Sequence, residues 1–293
     1  MDTATHSVPS ISPQQLAARM GRANAPLLLD VRREAKFAES PYRLAGALRC
    51  QPEQVSAYAR SQTPREVVVY CVYGHNVSAD AAIALRAAGW DACVLAGGIE
   101  GGEDGVDTPD DIATWRAAPL LRVRQRPDWG VTGEGPSHWV TRERPKIDRI
   151  ACPWLIRRFI DSRAEFFYVP TADVFKEADR LGAVAYDIPD APITHEWERC
   201  SFDALLRAFE LQDPALDVLA TIVRGADTAR PELAPQSAGL LAVSLGLSRL
   251  HADDDHAMLE AAMPVYDALY EWCRSARDET HNWKVHTMAG AAQ

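Results

Sequence analysis

The chain has 293 residues, 47% of them hydrophobic, which is enough for two domains with sizeable cores. A net charge of −10 and a pI near 5.3 argue against broad binding to nucleic acid or anionic membranes, and no apolar run approaches a membrane span. Six cysteines are scattered without a C-x-x-C pair, and the amino terminus lacks the basic start and apolar stretch of a signal peptide; both features predict reduced thiols in a cytoplasmic protein.

Residues 12–21 predict a helix, with Ser12 as cap, Pro13 at its first position and Gly21 as its stop. Leu27-Leu28-Leu29-Asp30-Val31-Arg32 reads as a strand. The β-branched run Val67-Val68-Val69-Tyr70 reads as a second, buried strand ending at Cys71. A loop through Gly74 follows, and then a helix opened by Ser78 and stopped by Gly89. This order puts Cys71 at the carboxyl end of a strand, facing a helix amino terminus. Backbone N–H groups and the helix dipole there favour a thiolate and a neighbouring oxyanion. Alternating helix and strand signals up to Gly97-Gly98 predict an α/β layer with a mainly parallel sheet.

These segments together resemble the rhodanese family. The resemblance rests on the strand ending Asp30-Val31-Arg32, the Gly46-Ala47 step, the Cys71 loop, and the strand-and-turn Val94-Leu95-Ala96-Gly97-Gly98. It implies a sulfurtransferase with Cys71 as nucleophile, becoming a persulfide, and Val72, Tyr73, Gly74, His75, Asn76 and Val77 as an anion-binding loop. Asp30 and Arg32 would order neighbouring loops. Five residues separate Cys71 from Val77, a spacing similar to the phosphatase and arsenate-reductase relatives, yet Val77 stands where an arginine clamp is expected. Ester hydrolysis is thereby disfavoured, and His75 becomes the candidate source of positive charge. A buried, inert Cys71 in a silent scaffold is the plain alternative.

Beyond Gly101 the chain turns acidic and glycine-rich, with a short helix near Ile112. The boundaries read as a first domain over residues 1–118, a linker over 119–138 that permits relative motion, and a second domain over 139–293. The second domain predicts a helix at 146–161 with Pro153 in its first turn and strands at 165–169 and 183–188. Helices are predicted at 172–181, 202–211, 215–224, 237–250 and 253–277, the last kinked or split at Pro264. It is a mostly helical α+β domain.

The block Arg144-Pro145-Lys146-Ile147-Asp148-Arg149-Ile150-Ala151-Cys152-Pro153-Trp154-Leu155-Ile156-Arg157-Arg158 and the segment Thr194-His195-Glu196-Trp197-Glu198-Arg199-Cys200 resemble the chromate-resistance protein family, specifically the carboxyl-terminal domain of its ChrB-type members. Imidazole, carboxylate and thiol within six positions make His195, Glu196 and Cys200 candidate Zn or Fe ligands, with Asp227, Asp187 or Cys152 to complete the set. A hydrogen-bonded helix start is the alternative. Arg157 and Arg158 are candidates for an oxyanion pocket or for a solvated face paired with Asp161. The acidic run Asp253-Asp254-Asp255 reads as a charged helix start, and His281 and His286 as part of a tail.

The reading is a sulfurtransferase taking sulfur from thiosulfate or a persulfide to a thiol acceptor, needing no cofactor for transfer, with no nucleic-acid or membrane partner. Its rivals are an oxyanion reductase, with Cys50 or Cys93 as resolving thiol, and a non-enzymatic metal or chromate sensor.

Overall fold

The computed structural model describes residues 8–280; Met1–Ser7, His281 and His286 lie outside that range. The first half carries strands β1 (Ser10–Ile11), β2 (Leu27–Asp30), β3 (Tyr42–Leu44), β4 (Leu48–Arg49), β5 (Glu66–Tyr70) and β6 (Asp91–Leu95). Helices α1 (Pro13–Ala17), α2 (Glu34–Glu39), α3 (Val55–Ser61), α4 (Asn76–Ala87) and α5 (Pro109–Arg116) alternate with them. Five strands form one parallel sheet in the order β1-β6-β5-β2-β4. A strand buried on both faces reads as an unbroken apolar run, and Val67, Val68 and Val69 of central β5 are fully buried. Ligands of such sheets gather at the carboxyl ends of the strands, where Cys71 follows β5.

Residues 119–138 are not a free linker. Within them, β7 (Arg122–Arg124) pairs antiparallel with β3, Val123 and Val131 are buried, and the Arg124 N–H donates to the Phe209 carbonyl at 2.9 Å. One apolar core runs through both halves, from Leu16, Leu28 and Tyr70 to Trp154, Phe159 and Tyr270. The Gly46 N–H donates to the Phe159 carbonyl, and a Cβ at Gly21 would stand 2.4 Å from the Phe159 ring. The segment expected as a linker is therefore largely packed into a seam between the halves, with residues 134–136 as its longest exposed stretch.

The second half is helix-rich. Strands β8 (His138–Arg142), β9 (Glu165–Val169) and β10 (Val184–Ala185) form a small parallel sheet in the order β10-β8-β9. Around it lie α6 (Asp148–Leu155), α7 (Val174–Leu181), α8 (Ser201–Ala208), α9 (Pro214–Asp227), α10 (Gln236–Leu250) and α11 (Asp255–Glu271). Pro153 falls inside α6 rather than in its first turn. Proline lacks the N–H that would reach the Arg149 carbonyl, and the Tyr186 hydroxyl donates to that carbonyl instead, at 3.3 Å. Continuous α11 spans Pro264 without splitting. No described helix is long and apolar enough to cross a membrane.

Candidate functional site

Two sites stand apart in the chain. The first is the loop between β5 and α4. Cys71, 6% exposed, places its Sγ 3.2 Å from the Ser78 Oγ. Ser78 does not open the helix as expected: α4 begins at Asn76 with His75 at its cap, and the Ser78 hydroxyl donates back to the His75 carbonyl at 3.0 Å. One hydroxyl proton thus has two claimants, a carbonyl and a sulfur. While it points at the carbonyl, the thiol must donate to Ser78; turned around, it donates to a sulfur anion.

Among the described residues, the backbone N–H groups of Val72, Tyr73, Gly74, His75, Asn76 and Val77 donate to no protein acceptor. Six successive amides without a protein acceptor thus lead into a twelve-residue helix, the arrangement that an anion cradle requires. Its floor is made by backbone alone. The Cys71 and Val72 carbonyls accept from the Ile99 and Glu100 N–H groups, each at 3.0 Å, and a Cβ at Gly74 would stand 2.7 Å from the Leu95 carbonyl oxygen. A cavity of about 300 Å³ opens beside the loop, lined by Tyr73, Gly74, His75, Asp107 and Trp115.

His75 is a poor substitute for an arginine. Its Nε2 lies 3.0 Å from Asp107 Oδ2 and its Nδ1 lies 3.4 Å from Glu103, so two carboxylates accompany any charge it carries. The Glu103 N–H, followed by His75, holds the Asp107 carboxyl below its usual range. Asp30 and Arg32 form a fully buried ion pair at 2.6 Å, which also engages the Tyr70 hydroxyl and the Tyr42 carbonyl. Burial pushes the Cys50 thiol up to about 11 and raises that of Cys93, which ill suits either as a resolving thiol.

The second site is in the helix-rich half. A short hairpin, bridged at Glu196 and Arg199, sets His195 against three aspartates. Its Nε2 lies 3.1 Å from Asp227 Oδ2, 3.3 Å from Asp187 Oδ1 and 3.5 Å from Asp148 Oδ2. Asp148 opens α6 and is wholly buried; it accepts the Ser201 and Phe202 N–H groups at 2.5 and 3.0 Å, capping α8 from a distance. Asp187 accepts from Ser201 Oγ at 2.9 Å and pairs with Arg142 and Arg149 at 2.9 and 3.3 Å. Hydrogen bonds to Asp148, then Asp187 and Asp227, raise the His195 imidazole well above its ordinary range, and burial raises Asp148.

The family comparisons divide the chain in the same way. Residues 12–104 match the rhodanese-like domain and residues 139–273 match the ChrB C-terminal domain. Two domain families meet in one chain. A curated relative, Protein ChrB of Cupriavidus metallidurans (strain ATCC 43123 / DSM 2839 / NBRC 102507 / CH34), is 36% identical over 140 residues, covering 47% of this chain and 41% of that protein. The chain therefore spans about two fifths of the relative's length.

Within the ChrB-type half, of the six residues named from the sequence, His195 and Asp227 come together, Asp187 lies 3.3 Å from the same imidazole, and Cys152 is buried with its S–H directed to Asp148. Glu196 and Cys200 do not join them. Glu196 pairs with Arg207 of α8 instead. Cys200 is fully buried at the start of α8, its S–H directed to Asp203 at 3.5 Å, and burial drives it far above the range in which a thiolate forms. Asp148, quoted for the resemblance but not as a ligand, takes their place; only the pairing of α6 with α8 reveals it. Arg157 and Arg158 line a cavity of about 230 Å³ together with Arg22 and Arg65, and their ion-pair partner is not Asp161: Arg157 pairs with Glu260 at 2.5 Å and Arg158 with Asp267 at 2.8 Å. Asp254 caps α11 by accepting the Ala257 N–H at 2.9 Å.

Proposed function

We propose that the rhodanese-like half is a sulfurtransferase working through a Cys71 persulfide, joined to a ChrB-type half that serves chromate resistance. The observation that carries this reading is the cradle: six backbone N–H groups without a protein partner, opening around a cysteine whose sulfur lies 3.2 Å from a hydroxyl. The Cys71 thiolate attacks the sulfane sulfur of thiosulfate, the S–S bond breaks, and sulfite leaves with the bonding pair. The terminal sulfur of the new persulfide then passes to a thiol or cyanide nucleophile, restoring the thiolate. Charge on sulfite and on the persulfide is what free amides and a turned Ser78 hydroxyl stabilise. The step needs no cofactor. Phosphoryl transfer would demand the bidentate guanidinium that Val77 replaces. Six free cysteines among the described residues suit a reducing, cytoplasmic setting.

The test is mass spectrometry of protein incubated with thiosulfate. The Cys71 peptide should gain one sulfur atom, and Cys71→Ser protein should gain none. A second reading, a silent scaffold, is favoured by the 6% exposure of Cys71. Wild-type protein that gains no sulfur and transfers none to cyanide would establish that reading instead.

A further inference from the structure

We infer that Asp148, His195 and Asp227 form a binding site for one hard divalent cation, of the Mn²⁺ or Fe²⁺ class. The three residues come from separate elements: the start of α6, the hairpin before α8, and the last turn of α9. Their ligand atoms all lie within 4.8 Å of one another. Ligands about 2.0–2.2 Å from a metal span up to roughly 4.4 Å across it, so a cation fits between these atoms after small rotations.

Charge makes the same case independently. Three carboxylates face a single imidazole nitrogen, which carries one proton and donates one hydrogen bond. Asp187 is already paired with Arg142 and Arg149, leaving His195 as the one basic side chain that Asp148 and Asp227 share. A divalent ion in place of that proton balances both carboxylates.

The surroundings have the form of a metal site's supporting shell. Both Asp148 oxygens are fixed by the amides of Ser201 and Phe202, and Ser201 Oγ fixes Asp187 beside them. Glu196 to Arg207 and Glu198 to Arg230 clamp the hairpin that carries His195. Asp227 and His195 keep 16% and 42% side-chain exposure, which gives an ion its way in. Two oxygens and one nitrogen favour a hard or borderline ion over a thiolate-seeking one, and three protein ligands leave coordination positions for water or an oxyanion.

The experiment uses the full chain, stripped with chelator and titrated with Mn²⁺ by calorimetry and by electron paramagnetic resonance. Wild type should take up one Mn²⁺ per chain. Asp227→Asn and His195→Gln should each weaken binding by at least about tenfold, while Glu39→Gln, in an exposed pair with Lys36 on α2, leaves it unchanged. Asp148→Asn is a poor probe because it also uncaps α8. Circular dichroism of the two chosen variants separates lost binding from lost fold. Stripped wild type that takes up no Mn²⁺, or folded variants that bind Mn²⁺ as tightly as wild type, would overturn the inference.

Discussion

Replacing Gly98 by alanine tests whether the Cys71 loop owes its shape to bare backbone beneath it. Gly98 sits at φ +58°, and a Cβ there would stand 2.5 Å from Gly74 N, 2.5 Å from the Val72 oxygen and 2.7 Å from the Cys71 oxygen. Gly182, at φ +59°, supplies the control, since a Cβ there meets nothing within 4 Å. Both substitutions incur the left-handed backbone penalty, about 1–2 kcal/mol. Only Gly98→Ala adds overpacking against atoms that cannot rotate away, about 1–3 kcal/mol more. Urea unfolding should therefore place Gly182→Ala about 1–2 kcal/mol below wild type and Gly98→Ala about 2–5 kcal/mol below. At partial denaturant, where both remain folded, Gly98→Ala should also lose persulfide formation while Gly182→Ala keeps it. Equal destabilisation, or a Gly98→Ala protein that still takes up sulfur normally, would refute the role assigned to the turn.

Ser78→Ala removes the hydroxyl 3.2 Å from Cys71 Sγ, and alkylation of Cys71 by iodoacetamide at pH 7.5 should slow about tenfold, as loss of one hydrogen bond to a charged sulfur implies. Val77→Arg restores a guanidinium to the end of the cradle, and thiosulfate:cyanide turnover should rise; a fall would mean the loop cannot accept one. Asp107 has a depressed folded pKa, so its bonds to Glu103 and His75 contribute fully above the ordinary value of 3.8 and are lost as pH falls through the lower, folded value. Carboxyl NMR of Asp107 should accordingly show a midpoint below that of a model peptide, and Glu103 amide exchange should quicken only once that midpoint is passed.

Much of the first half is legible because its signals are local. Val67 to Val69, the strand before Asp30 and the Gly97-Gly98 turn each declare themselves within a few residues, and the expected parallel sheet follows. Ser78 misled because a serine before an alanine run fits a cap, whereas the cap here is His75, three residues earlier, and the helix starts at Asn76. The glycine and proline content of residues 119–138 suggested a linker, but composition carries no information about which distant strand Val123 meets. At the second site His195 and Asp227 were within reach of residue type alone. Glu196 and Cys200 were preferred for nearness in sequence, yet neighbours on a hairpin point to opposite sides. Asp148 could be found only through the three-dimensional apposition of α6 and α8.

The seam between the halves has a practical consequence for anyone dissecting the protein. Ending an expressed fragment at residue 118 would strip β3 of its antiparallel neighbour and lay Leu16, Leu44 and Leu95 open to water. Beginning one at 139 would do the same to Phe159 and Tyr270. Each piece would carry a sticky flank that the intact chain never displays. The proposed sulfur transfer and cation binding are therefore to be assayed on one polypeptide, where damage to either flank registers as a single loss of cooperative unfolding.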